Sequence, residues 1–335
     1  MTSRPEHTRA QRPENTEQGG VRTGVQFLNV PEHAHEQRLD NFLSSRLAGL
    51  PKSHLYRLIR KGEIRVNKKR CKPDTRVISG DIVRVAPLRL AQRDNIVAPG
   101  AGLQKTLADN VLFEDDQLII INKPAGLAVH TGTGSPTGVI EVMRFMAGEG
   151  GYRELVHRLD KETSGCLMIA KTGTALKALQ DDLKHKRIQK TYLAIVHGRW
   201  PASIRRINAA LTKFQPHEGE RIVKTDRKQG KPSETRFEPI ETFEHASLIK
   251  AMPLTGRTHQ IRVHCQTAGH PIIGDSKYTF HGPQHFQDVQ FLNLHASELV
   301  FTHPGNQLRM TVTAPLRGEM QELVHTLREK AAGNQ

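Results

Sequence analysis

Apolar residues recur at helical spacing in two short segments near the start of the chain. The first stripe consists of Leu39, Phe42, Leu43 and Leu47, and the second of Leu55, Leu58 and Ile59. Two short runs rich in β-branched residues, at 64–66 and 82–85, follow these stripes and flank a basic turn. The pattern therefore predicts a compact module of two helices and short strands within residues 21–86.

The longer part of the chain, residues 109–335, contains many strand patterns and few helical ones. Strands are predicted at 112–113, 118–121, 155–159, 167–170, 192–196, 235–242, 247–252, 294–301 and 308–312. Helices are predicted at 139–147, with an inner face that includes Met146, at 176–183 and at 320–327. Because hairpin-like spacings outnumber helices, the expected class is α+β with a mixed, mostly antiparallel sheet. Residues 1–20 are predicted as a flexible tail and 87–108 as a linker, since both lack periodicity.

Charge is distributed unevenly along the chain. The net formal charge is +15, and residues 52–76 alone contain ten basic and two acidic side chains. Such a surface either binds the phosphates of RNA or DNA or is merely well solvated. The charges interrupt apolar helical positions, which favours a folded basic surface. We therefore predict an RNA-binding surface made by Lys52, Arg57, Arg60, Lys61, Arg65, Lys68, Lys69 and Arg70.

Other features of the composition argue against several classes of protein. No apolar run approaches the roughly 18 residues that a membrane span needs, so no membrane contact is expected. The first twenty residues lack the apolar stretch of a secretory signal peptide. The three cysteines are odd in number and far apart, which indicates neither a disulfide framework nor a zinc site. We therefore expect a cytoplasmic protein without a bound metal.

One polar segment is a candidate for chemistry, residues 157–165 with the sequence HRLDKETSG. It brings an arginine, a carboxylate and two hydroxyls into a turn between predicted strands, where a loop exposes side chains on a fixed frame. An aspartate at such a position is more often a turn former that accepts hydrogen bonds from nearby backbone amides. The residues alone leave the role of Asp160 open.

Three segments, in this order along the chain, resemble the motifs of the RluA-type pseudouridine synthase family. They are residues 123–130 (KPAGLAVH), residues 157–165, which fill the family pattern HRLDxxTSG, and residues 254–264 (LTGRTHQIRVH). The basic module at 38–85 resembles an S4 RNA-binding domain. The resemblance covers residues 38–85 and 109–316, and it implies an S4 domain followed by a pseudouridine synthase catalytic domain.

This resemblance implies an isomerase that converts uridines to pseudouridine in 23S ribosomal RNA, free or in a large-subunit precursor, without a cofactor. Asp160 matches the family nucleophile, Arg262 the arginine that pairs with it, and Tyr192 the active-site tyrosine. A predicted helix ending at Gly269 leaves Arg262 free to reach a cleft, because Ile261 and Cys265 occupy another side. We expect a monomer. The remaining predicted substrate contacts are His157, Arg158, Thr163, Arg257 and His259.

Several alternatives stay open from the sequence. The chain could be a catalytically idle RNA-binding assembly factor, or a sister synthase that acts on transfer RNA or small-subunit ribosomal RNA. Asp160 would either attack C1′ of the ribose or remove a sugar proton in the competing glycal route. Arg158 would either fill the space left by an everted nucleotide or form a structural ion pair.

Overall fold

The computed structural model describes residues 20–22, 24–47, 50–91, 99–131, 137–148, 151–214, 222–226, 228–283, 285–316 and 318–333. These residues divide into two compact units, one up to residue 97 and one from residue 98 onward. Residues 1–19 of the predicted tail lie outside the described residues. In the part of the chain that is described, no helix has both the length and the apolar character to cross a membrane.

The first unit consists of two helices packed on one face of a small sheet. Its elements are β1 (Gly20–Arg22), β2 (Gln26–Asn29), α1 (Leu39–Arg46), α2 (Lys52–Lys61), β3 (Ile64–Val66), β4 (Lys69–Arg70), β5 (Ile82–Val85) and β6 (Arg89–Ala91). The sheet has the order β2-β5-β3-β4, and β1 pairs with β6. Every residue of the two predicted helical stripes is buried. These stripes pack on Ile64, Val83 and Val85, so the predicted module is confirmed.

The second unit is built around one large sheet with helices beside it. Its first half contains α3 (Ala101–Asp109), β7 (Val111–Glu114), β8 (Leu118–Lys123), α4 (Val139–Ala147), β9 (Glu154–Leu155), β10 (Ser164–Ala170), α5 (Gly173–Lys184) and β11 (Gln189–His197). Its second half contains β12 (Arg206–Phe214), β13 (Ile222–Thr225), β14 (Lys231–Thr242), β15 (Ala246–Pro253), α6 (Gln260–Thr267), β16 (Leu294–Thr302), β17 (Arg309–Thr313) and α7 (Glu319–Gly333).

Eleven described strands form this sheet. The order is β13-β12-β14-β15-β11-β16-β10-β8-β7, with β9 on β10 and β17 on β16. The pairing of β10 with β16 is parallel, and the remaining strand pairs are antiparallel. Alternate residues of β10 point to opposite faces, since Met168 packs with α5 and Leu167 packs with α3 and α4. The predicted α+β class and its mostly antiparallel sheet are confirmed.

Four details differ from the sequence predictions. The predicted linker contains β6 and α3, and Leu107 of α3 is fully buried. The strand predicted at 155–159 is regular only at Glu154–Leu155, after which the chain enters the polar loop. Met146 is 41% exposed although it lies on the apolar stripe of α4, one residue before the helix ends at Ala147. Strands β12 and β13 were not predicted.

Candidate active site

The loop between β9 and β10 presents the carboxylate of Asp160. The backbone carbonyl of Asp160 accepts the turn hydrogen bond, at 3.1 Å from the nitrogen of Thr163. The loop ends at Gly165, where φ is +106° and a Cβ would collide with the backbone of Ala296 on the parallel strand β16. The turn is therefore made by the backbone, and the Asp160 side chain, 23% exposed, points to other partners.

A buried lysine and a buried histidine support this loop. The Nζ atom of Lys123 donates to the carbonyl oxygens of Pro124, Leu127 and Lys161 at 2.6, 2.8 and 3.0 Å. Burial lowers the pKa of Lys123 to about 7, although the charges of Glu162 and Asp160 oppose this shift. Ser164 donates its hydroxyl to Nδ1 of His295, whose Nε2 donates to a backbone carbonyl at 3.0 Å. The loop is thus held at two points that follow Asp160 in the chain, Lys161 and Ser164.

Arg262 on α6 lies between two carboxylates. Its guanidinium forms a two-point ion pair with Asp275, with nitrogen–oxygen distances of 2.6 and 2.7 Å, and its Nη1 lies 3.7 Å from Oδ2 of Asp160. Burial alone would lower the pKa of Arg262, but the hydrogen bonds and charge of Asp275, together with the charge of Asp160, raise it. The predicted pairing of Arg262 with Asp160 is within ion-pair distance. Arg262 reaches the cleft, as the helical pattern predicts, and its closer partner there is Asp275.

Asp275 was missed by the sequence reasoning. Its side chain is fully buried, and Oδ1 also accepts hydrogen bonds from the backbone nitrogens of Lys277 and Tyr278. A signal existed in the sequence, since Asp275 is the only acidic residue between Glu244 and Asp288. A lone carboxylate in a basic stretch beside a buried arginine is a natural ion-pair partner.

His259 places a second donor beside Asp160. The hydroxyl of Tyr278 accepts from the backbone nitrogen of Val223 and lies 2.8 Å from Nδ1 of His259. Burial lowers the pKa of His259 to about 4, partly opposed by the charge of Asp160, so the ring is neutral at pH 7. The hydroxyl then donates to Nδ1, which leaves the proton on Nε2, 3.9 Å from Oδ2 of Asp160.

A cleft of about 480 Å³ opens in front of Asp160. Strand β11 contributes Tyr192 and Lys190 to its wall, and helix α5 contributes Gln180 and Leu183. Burial raises the pKa of Tyr192, and the nearby charge of Asp160 adds to this effect, so the phenol keeps its proton at neutral pH. Burial also lowers the pKa of Lys190. The volume is in the range that accommodates a small organic group such as a nucleotide.

The structure brings all the predicted catalytic and substrate-binding residues to this cleft. Thr163 is buried, and His157 accepts a hydrogen bond from the backbone nitrogen of Met168 at 3.2 Å, which gives its ring a structural partner. Arg257 is exposed, and its Nε donates to the carbonyl of Pro232. Arg158 is exposed and has no ion pair with any described residue. The ion-pair alternative for Arg158 therefore finds no partner in the described residues.

The predicted RNA-binding residues lie on the first unit. Arg57, Arg60 and Lys61 are exposed on α2, and the others for which side chains are described, Arg65, Lys68, Lys69 and Arg70, are exposed on β3, β4 and the turn between them. The side chain of Lys52 lies outside the described residues. Within the described ranges, no group of three histidine, cysteine or acidic side chains is arranged to hold a metal ion.

Comparisons with known proteins agree with this arrangement. Residues 117–267 match the family model of RNA pseudouridylate synthases, and residues 37–83 match that of the S4 domain. A solved structure, human RNA pseudouridylate synthase domain containing 4, has the same fold with a TM-score of 0.58 and 24% identity, covering 68% of this chain and 96% of its own. The mostly antiparallel sheet of the second unit is thus shared with this synthase structure at the level of fold. The chain belongs to the RNA pseudouridylate synthase family.

Two curated relatives within this family match more than nine tenths of the chain. Ribosomal large subunit pseudouridine synthase C of Yersinia pestis is 47% identical over 312 residues, which are 92% of this chain and 97% of the relative. The protein of the same name from Escherichia coli (strain K12) is 46% identical over 313 residues, 91% of this chain and 97% of its own. The match spans both units, so the whole chain resembles these relatives.

Proposed function

We propose that this protein isomerises uridines to pseudouridine in the 23S RNA of the large ribosomal subunit. The observation that carries the proposal is the carboxylate of Asp160, partly exposed at the cleft and 3.7 Å from the buried guanidinium of Arg262. The names of the relatives, which specify the ribosomal large subunit, support the choice of RNA. The cytoplasm and a monomeric state remain predictions.

The reaction breaks the bond between N1 of uracil and C1′ of the ribose, then joins C5 of the same base to C1′. Positive charge develops on the sugar as the first bond breaks, and an ionised carboxylate beside it stabilises this charge. Asp160 either attacks C1′ or removes a proton from the sugar in the glycal route. The base loses the proton from C5 and gains one at N1, so no atom is added overall and no cofactor is required.

The neighbours of Asp160 have distinct proposed roles. Arg262 places a positive charge 3.7 Å from Oδ2 of Asp160. Tyr192 stacks on the uracil, and its protonated hydroxyl is placed to donate a hydrogen bond rather than to act as a base. His259 adds a neutral donor 3.9 Å from Oδ2, the same carboxylate oxygen that faces Arg262.

The target base leaves its RNA stack before it enters the cleft, which costs a few kcal/mol. Arg158, exposed at the mouth and without a described ion-pair partner, fills the space that the base vacates. The basic residues of the first unit bind RNA backbone phosphates and increase the affinity for the large substrate.

Replacing Asp160 tests the proposal. Ribosomal RNA from cells that lack the gene, complemented with the parent or with Asp160→Asn, is treated with carbodiimide and read by reverse transcription. The parent is expected to restore stops at specific uridines of the large-subunit RNA, and Asp160→Asn to restore none. Asp116→Asn, the same substitution at an exposed acid outside the cleft, is the matched control and should behave as the parent.

Three results would contradict the proposal. Stops restored equally by Asp160→Asn would remove the carboxylate from the mechanism. Stops that depend on the gene but lie in transfer RNA or small-subunit RNA would show a sister synthase, and no gene-dependent stop in any RNA would favour an idle assembly factor.

A further inference from the structure

The outer face of the sheet in the first unit has a row of side chains that the proposed reaction does not use. Register pairs Phe27 of β2 with Arg84 of β5, Arg84 with Arg65 of β3, and Arg65 with Arg70 of β4. Residues paired across antiparallel strands project to the same face. One aromatic ring and three guanidinium groups therefore form a line across all four strands, which we name the Phe27 row.

The opposite face of the same sheet is the core, and this fixes the direction of the row. The next register pair, Leu28 with Val83, packs against the helices, and Val83 is fully buried. The Phe27 row lies one residue away, so it faces away from α1 and α2. Phe27 is 66% exposed, and Ile82 and Val25 beside it are 46% and 44% exposed.

Charge on this row is unbalanced. None of the three arginines forms an ion pair with a described residue, and the row contains no carboxylate. Arg65 donates to the carbonyl oxygens of Gly62 and Lys68, which leave its positive charge in place. An exposed ring beside three uncompensated guanidinium groups suits an anionic partner with flat apolar faces.

We propose that the Phe27 row binds single-stranded RNA, with one base stacked on Phe27 and the backbone phosphates on Arg84, Arg65 and Arg70. Neighbouring strands lie about 4.8 Å apart, so the arginines continue outward from the ring at regular steps. Sheets that carry exposed aromatic rings are a known way to hold unpaired bases. The face is distinct from the exposed surface of α2, and it meets the predicted basic surface at Arg65 and Arg70.

This inference rests on the proposed function only in that both concern RNA, and the experiment separates them. Binding of the full chain to labelled oligoadenosine of about twelve nucleotides, within the range of single-strand site sizes, is measured over a series of salt concentrations. Oligoadenosine offers faces for stacking but no uridine. A parent protein that binds it yet forms no pseudouridine in ribosomal RNA would refute the proposed function and leave the inference standing.

Phe27→Leu keeps an apolar side chain without the ring, and Phe27→Trp keeps stacking. We expect Phe27→Leu to bind oligoadenosine at least about fivefold more weakly, because one stacked base is lost, and Phe27→Trp to bind as the parent does. The salt dependence should stay unchanged in both. Leu308→Ala, at an apolar residue 64% exposed in the second unit, is the control and should have no effect.

Arg84→Gln tests the phosphate contact. Its plot of log affinity against log salt should be shallower by about 0.7, the value for one phosphate contact to a single strand. The base faces of a fully paired RNA duplex are covered. Phe27→Leu should therefore bind such a duplex with the same affinity as the parent.

Three RNA-binding results would overturn the inference. The first is an unchanged affinity of Phe27→Leu for oligoadenosine, and the second is an equal loss of its affinity for the duplex. The third is an unchanged salt slope for Arg84→Gln. If the row instead docks a second copy of the chain, sedimentation will show self-association that Phe27→Leu removes while RNA affinity stays the same, which also overturns it.

Discussion

At the scale of single residues, the site depends on one arginine shared unequally by two aspartates. Arg262 is bound at two points by Asp275, which is fully buried, and lies farther from Asp160, which is partly exposed. Asp275 therefore fixes the guanidinium, while Asp160 keeps one side of its carboxylate open to the cleft. The same guanidinium thus forms a buried ion pair with Asp275 and faces the cleft carboxylate of Asp160.

Removing each carboxylate should separate these two tasks. Asp275→Asn leaves a buried guanidinium without its close partner, and we expect the free energy of unfolding to fall by about 3 kcal/mol. Asp160→Asn disturbs a longer, partly exposed contact and should change it by less than about 1 kcal/mol. Urea unfolding of both variants measures the difference. Equal destabilisation by the two substitutions would contradict the unequal sharing.

At the scale of elements, the loop that carries Asp160 depends on the close approach of β10 to β16. Gly165, the second residue of β10, has a positive φ, and the backbone of Ala296 occupies the space where its Cβ would lie. Gly269, after α6, also has a positive φ, of +82°, but no atom lies within 4 Å of its Cβ position. The two glycines thus both have a positive φ and differ in the atoms that surround them.

Substitution by alanine compares them. Gly269→Ala should cost about 1 kcal/mol of unfolding free energy for the left-handed conformation alone. Gly165→Ala should cost several times more, because the strands must also separate, and it should lower pseudouridine formation by displacing Asp160. Thermal unfolding and the reverse-transcription assay give the two readouts. A similar cost at both positions would show that β10 and β16 can move apart easily.

The elements that the sequence predicts well are those with a one-sided apolar pattern. The stripes of α1 and α2 and the strands β10 and β11 bury long apolar runs, so periodicity finds them. Strand β12 buries only Leu211, which leaves no alternation to detect. The family likeness placed Asp160, Tyr192 and Arg262 in one site. The role of Asp275 depends on a contact between α6 and the turn after it, which no local pattern encodes.

At the scale of the whole molecule, several buried histidines make stability depend on pH. Burial lowers the pKa of His157 to about 3 and those of His197, His259 and His264 to about 4, from an ordinary value near 6.5. His264 is held neutral between Ser233 and Thr235. The unfolded chain therefore binds more protons than the folded chain between pH 6.5 and 4. The contribution of these neutral histidines to the free energy of unfolding is complete only above pH 6.5.

We expect the free energy of unfolding to decrease as the pH falls from about 6.5 to about 5, by up to about 1.4 kcal/mol per pH unit for each histidine. Urea unfolding at both pH values measures it. His264→Gln should show a shallower dependence than the parent, and a parent whose stability is the same at both pH values would contradict the assignment.

The order of strands also bears on when activity arises during synthesis. Strand β16 lies between β10, which follows Asp160, and β11, which carries Tyr192, although it comes about a hundred residues later in the chain. A nascent polypeptide still lacking residues 294–302 joins β10 and β11 only through α5 and has no strand to pair with both. We therefore expect Asp160 and Tyr192 to come into register only once β16 has left the translating ribosome.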